Sequence, residues 1–121
     1  MALRARSHTL LADAMTEDGG TDQAATPHEI LAGALAACTS ITVQMYANRK
    51  AWRLGSADVT VRLSKESSDA SAIEPTTHFD VTISFQGDLT KDQRGRLLEI
   101  AQRCPVHKVL AGSIAIKVAL A

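Results

Sequence analysis

The stretch Thr26-Pro27-His28-Glu29-Ile30-Leu31-Ala32-Gly33-Ala34-Leu35-Ala36-Ala37-Cys38-Thr39-Ser40-Ile41-Thr42-Val43-Gln44-Met45-Tyr46-Ala47-Asn48 decides the fold. Thr26 is a good N-cap, Pro27 suits the first helical position, and Glu29 completes a T-x-x-E capping box. The pattern predicts a helix to about Lys50, where Asn48, Arg49 and Lys50 set a polar, cationic end against the C-terminal dipole. Ile30 to Asn48 carries no charge, so the segment has to be weighed as a membrane span. Gly33, Thr39, Ser40, Thr42, Gln44 and many alanines leave it too weakly hydrophobic for that role. A buried central helix is expected instead. Leu31, Leu35, Ile41, Val43 and Met45 do not share one narrow stripe, so apolar surface wraps most of the way round. A small sheet covers one side only. The other side calls for a second subunit, packed closely at Gly33, Ala34, Ala36 and Ala37. The alternative is that Lys91–Leu110 covers that side within one chain.

Working outward, Arg6 to Ala14 reads as a short strand with Leu10 and Ala12 on one face, and residues 16 to 25 as a loop around Gly19-Gly20. Val59, Val61 and Leu63 alternate in a strand near 57 to 65; Phe79, Val81, Ile83 and Phe85 alternate in another near 77 to 86. Between them Glu66 to Thr76 reads as a long hairpin loop. Thr90 with Gln93 forms a second capping box, opening a helix from Lys91 to about Arg103. Pro105 then starts a short helical turn through Leu110, which Gly112 closes. Ser113 to Leu120 alternates Ile114, Ile116, Val118 and Leu120 as a last strand. The order β-α-β-β-α-α-β predicts a single α+β domain over residues 1–121, an antiparallel-rich sheet with a long buried central helix.

Composition narrows the function. The 121 residues hold thirteen Lys+Arg against thirteen Asp+Glu, which argues against a protein that grips nucleic acid or anionic lipid by net charge. Aromatics are only 3%, so a base-stacking platform is not expected, while 45% hydrophobic residues exclude disorder as the default. No signal peptide pattern opens the chain, and a cytoplasmic location is expected. Cys38 and Cys104 are too few for a disulfide scaffold and form no CxxC. His8 and His78 fall in predicted strands without metal-ligand spacing, so no metal is expected.

Cys38 lies mid-helix, where a lone cysteine is most often a small buried hydrophobe. If reactive, it needs a cation from elsewhere in the fold. Cys104 precedes Pro105 in Arg103-Cys104-Pro105-Val106-His107. A thiol at the N-cap of a proline-started turn faces free backbone N–H groups, which favour a thiolate; Arg103 and His107 add possible positive charge. The competing role for Cys104 is to end one helix and pack inward. Glu29 already has a structural task in the capping box, and His28 fits a solvated surface residue. His28 lies about 15 Å along the helix axis from Cys38 and Glu29 one residue nearer, so a partnership with that thiol calls for a second helix.

Thr26-Pro27-His28-Glu29-Ile30-Leu31 followed by Ala34-Leu35-Ala36-Ala37-Cys38-Thr39 resembles the central helix of the OsmC/Ohr family. Cys104-Pro105-Val106-His107-Lys108-Val109-Leu110 is similar to that family's second cysteine motif, and His8 to Asp13 with Gly19-Gly20 to the segment before its first helix. The resemblance covers nearly the whole chain in order. It implies an intertwined α+β homodimer and thiol-dependent reduction of organic hydroperoxides, an antioxidant stress-response activity. Cys38 would be the peroxidatic thiolate and Cys104 the resolving thiol, with an external dithiol as reductant and no cofactor. In the Ohr branch an N-terminal Arg and a Glu directly after the helix proline flank the reactive thiol. Here His28 takes that Glu position and Glu29 follows it, while Arg4 and Arg6 are the candidates for the Arg. The chain therefore resembles the general OsmC-like group more than a true Ohr enzyme.

Three other functions compete. One is a non-catalytic dimer binding a small apolar ligand at its interface, beside His28 and the Ala/Gly-rich helix. Another is a structural disulfide between Cys38 and Cys104, which would contribute roughly 4 kcal/mol in a chain-entropy model. A Cys-His hydrolase using His107 lacks an orienting third residue.

Overall fold

The computed structural model describes residues 1–66 and 76–121. The expected hairpin loop at Glu66 to Thr76 lies, apart from its two ends, outside the described residues. The elements are β1 (Ala2–Ala5), β2 (His8–Leu11), a 3-10 turn (Thr16–Asp18), α1 (Pro27–Arg49), β3 (Arg53–Glu66), β4 (Thr76–Asp88), α2 (Lys91–Ala101) and α3 (Pro105–Ala111). This is an α+β chain with antiparallel sheets and a long helix. It falls into two compact units, Met1–Ala34 with Val61–Asp80, and Leu35–Thr60 with Val81–Ala121.

In the first unit β1 and β2 form an antiparallel hairpin, with Ala2 opposite Leu11 and Ala5 opposite His8. The expected strand from Arg6 is therefore corrected: Arg6 sits in the turn with φ 57°, a left-handed conformation unusual for a residue with a Cβ. Beyond the hairpin, Asp13 ties the following loop together. Its carboxylate accepts from the Thr21 hydroxyl at 2.6 Å and from the backbone N–H groups of Ala14 at 2.7 Å and Gln23 at 3.1 Å. These donors, the Thr21 hydroxyl foremost, hold its carboxyl far below the usual carboxylate range. Gly20 is required by close approach, because a Cβ there would run into the Ala14 carbonyl. The capping box that starts α1 is present: Glu29 N–H donates to Thr26 Oγ1 at 3.2 Å, and Thr26 N–H to Glu29 Oε1 at 2.9 Å.

The second unit holds the core. Val43 and Ala47 of α1 pack with Leu54 of β3 and with Leu97, Ile100 and Ala101 of α2, flanked by Trp52, Ile83 and Phe85. The capping box of Thr90 and Gln93 opens α2 as expected. Arg94 fixes the end of β4 by donating to the carbonyls of Phe85 at 2.7 Å and Gly87 at 3.1 Å. Gly87 has φ 144°, and a side chain there would also strike the Arg53 carbonyl. The strands β3 and β4 pair, with Val59, Val61 and Leu63 half-buried and the alternate residues Asp58, Thr60 and Arg62 exposed.

Two expectations change. Among the described residues, 113–121 pair with no strand, and their alternating apolar side chains stand in the open: Ile116 is 85% exposed and Val118 91%. The sequence has strand periodicity there, but a strand needs a ladder partner to form. The alternative cover for α1 also fails. Ile41 and Met45 remain 58% and 59% exposed although α2 and α3 form as expected.

Candidate functional site

The buried residues of α1 are Leu35, Thr39, Val43 and Ala47, a stripe at four-residue spacing. Cys38 lies one position off that stripe and is half-buried with a free thiol. Cys104 is fully buried, also a free thiol, and forms the N-cap of α3. The disulfide of the competing structural function is not formed in this structure.

Pro105 at the start of α3 leaves the following N–H groups without helical partners. The N–H of His107 turns to Cys104 Sγ at 3.2 Å, as the N-cap position predicts. From α1, Thr39 Oγ1 lies 3.7 Å from the same sulfur and donates to the Leu35 carbonyl at 2.8 Å. The residue next to Cys38 is thus in contact with Cys104, and the fold brings the two cysteine segments together. A cavity of about 140 Å³ opens beside them, lined by Thr39, Val81, Ile83, Leu98, Ala101 and His107, with Gln102 at its edge. Its walls are mostly apolar, with the His107 ring and the Thr39 and Gln102 side chains as polar groups.

The remaining expected residues belong to the first unit. His28 and Glu29 line a pocket of about 230 Å³ with Ala32, Val61 and Leu63. Glu29 is held ionised below its ordinary range, chiefly by the Thr26 N–H, so its charge serves the cap. Arg6 stands exposed at the β1–β2 turn. No group of three or more His, Cys, Asp or Glu suited to a metal ion occurs among the described residues.

Thr39 was missed by sequence reasoning as a contributor. The signal was present: a hydroxyl residue four positions from Leu35 and from Val43 sits inside an apolar stripe, where it requires a partner.

The model of the family described as OsmC-like protein matches residues 20–119. The chain belongs to the OsmC-like family. An OsmC-like protein from Mycoplasma pneumoniae superimposes with a TM-score of 0.75 at 18% identity, over 92% of this chain and 78% of that one. OsmC from Legionella pneumophila, named an organic hydroperoxide resistance protein and predicted redox protein, gives 0.65 at 20% identity, over 93% and 87%. A putative organic hydroperoxide resistance protein from Vibrio cholerae, with captopril bound in one of its active sites, gives 0.62 at 23%, over 88% and 72%. No curated protein matches the chain. At these identities the solved structures establish a shared OsmC-like fold. Among the described residues α1 is the one helix long and apolar enough to cross a membrane.

Proposed function

We propose that this protein is a thiol-dependent peroxidase that reduces organic hydroperoxides, with Cys38 as the peroxidatic residue and Cys104 as the resolving one. The observation that carries this is the contact of Thr39, adjacent to Cys38, with the sulfur of a free Cys104. The apolar cavity at the same place suits the organic part of a hydroperoxide, and family membership points the same way.

In the first step the Cys38 thiolate attacks the terminal oxygen of the hydroperoxide. The S–O bond forms, the O–O bond breaks, and the alkoxide takes a proton to leave as an alcohol. Cys38 is then a sulfenic acid. Cys104 attacks its sulfur, the disulfide forms, and hydroxide leaves as water. An external dithiol returns two electrons. His107, at the cavity wall, is the nearby group suited to proton transfer, while Arg6, His28 and Glu29 have supporting roles contributed within a homodimer. The exposed Ile41 and Met45 of α1 and the open segment 113–121 would give such a dimer its apolar contact, and an intertwined, cytoplasmic homodimer is part of this proposal.

Intact-mass analysis after one equivalent of an organic hydroperoxide tests the cycle. Loss of two hydrogens within one chain is expected. Thiols that stay inert would overturn the proposal and favour the second function, a dimer that holds a small apolar ligand. That alternative draws on the open pocket beside His28.

A further inference from the structure

We propose that Thr39 is the positioning residue for Cys104, holding its sulfur in place and stabilising its thiolate for the resolving step. The inference rests on the two-cysteine cycle above. Among the described residues Thr39 is the one buried polar side chain, at 2% exposure. A buried hydroxyl costs free energy unless it is paired, and Val would fill the same space without that cost. The Leu35 carbonyl at 2.8 Å satisfies the hydroxyl, and Cys104 Sγ at 3.7 Å is its second neighbour.

A hydroxyl has one hydrogen and two lone pairs, so it serves these neighbours in turn. While Cys104 is a thiol, its S–H donates to Thr39 Oγ1 and the Thr39 hydrogen stays on the Leu35 carbonyl. Once Cys104 ionises, the Thr39 hydrogen rotates to the sulfur. The thiolate then accepts from two donors, Thr39 Oγ1 and the His107 N–H at 3.2 Å. In the resolving step it attacks Cys38 Sγ; the S–S bond forms, the S–O bond breaks, and hydroxide leaves with a proton as water. Thr39 is unchanged at the end. Along the chain Arg103, His107 and Lys108 neighbour Cys104, and Cys38 stands next to Thr39 on α1.

Thr39→Val removes the hydroxyl at nearly constant shape, and Thr39→Ser keeps it. In a Cys38→Ser background Cys104 is the only cysteine, and its 13Cβ shift can be followed against pH without any peroxide. Thr39→Val should move that titration to higher pH, with about tenfold less thiolate at a given pH below the midpoint, and Thr39→Ser should restore it. With both cysteines present and one equivalent of hydroperoxide added, Thr39→Val should slow disulfide formation about tenfold relative to sulfenic acid formation. Thr39→Ser should again restore the rate. A Thr39→Val protein that titrates like its parent overturns the inference, as does a Thr39→Ser protein that fails to restore. If the parent forms no sulfenic acid, the peroxidase proposal fails, and the titration alone still decides the role of Thr39.

Discussion

The backbone N–H of His107 donates to Cys104 Sγ at 3.2 Å, so the helix α3 is capped by a sulfur where a hydroxyl or carboxylate usually stands. One atom therefore carries a structural role and a proposed chemical one, and two substitutions separate them. Cys104→Ser keeps a side-chain acceptor for the His107 N–H; Cys104→Ala removes it. Chemical denaturation should find the Ala protein about 1 kcal/mol less stable than the Ser protein. Equal stabilities would mean that the cap contributes nothing.

The same serine variant tests the division of labour between the thiols. Cys104→Ser should stop the cycle after the first step, so that a sulfenic acid accumulates and a dimedone-type probe labels Cys38. Cys38→Ser should bring hydroperoxide consumption with a dithiol donor down to the uncatalysed background. Consumption that survives Cys38→Ser would assign the chemistry to another group.

Leu97 and Leu98 adjoin on α2 and face different surroundings. Leu97 is fully buried in the core, while Leu98 is half exposed and lines the cavity beside Thr39. Leu97→Ala should cost about 2–5 kcal/mol in urea denaturation. Leu98→Ala should cost about 1 kcal/mol or less and act instead on the KM for a bulky hydroperoxide. Similar losses for both would show that the cavity wall is part of the load-carrying core.

Much of this was legible in the sequence where local chemistry decides structure. The T-x-x-E and T-x-x-Q boxes place the starts of α1 and α2, because each satisfies two N–H groups at its helix start. Cys104-Pro105 fixes its own helix start in the same way. What was not legible depended on nonlocal partners or an uncommon turn. The β1–β2 hairpin turns on Arg6-Ser7 with Arg6 left-handed, not on an Asn-Gly or Asp-Gly signal. Gly55 and Ser56 break the alternation of β3, so its first residues from Arg53 were not anticipated. The contact of Thr39 with Cys104 joins residues 65 positions apart, and only the folded packing of α1 near α3 creates it.

Acid should expose the role of Asp13. Its folded-state carboxyl is depressed, so its contribution to stability is present above the unfolded value near 4 and is lost as pH falls through the lower folded value. Asp13→Ala should therefore be less stable than the parent at pH 7, and the gap should narrow as pH is lowered from about 4 towards 2. Thermal melts of both proteins across that range measure it. A gap independent of pH would show that the ionised carboxylate is not what holds the loop of Thr21 and Gln23.

The last prediction concerns assembly. Ile41 and Met45 leave one side of α1 open, and Ile116, Val118 and Leu120 present an alternating apolar face at 85%, 91% and 101% exposure. A chain with this much uncovered apolar side chain gains from burying it, at about 25 cal/mol per Å². A strand pattern with no ladder partner among the described residues gains in addition from pairing with another chain. The proposed homodimer would cover both features. Sedimentation or light scattering should give a dimer for the parent. Val118→Asp places a charge on the alternating face and should raise the dimer dissociation constant at least tenfold, by about 1.4 kcal/mol or more. Lys117→Glu, on the opposite face of the same segment, should leave it nearly unchanged. A monomeric parent would sink the dimer proposal, and equal effects of the two substitutions would show that the segment does not act as a strand.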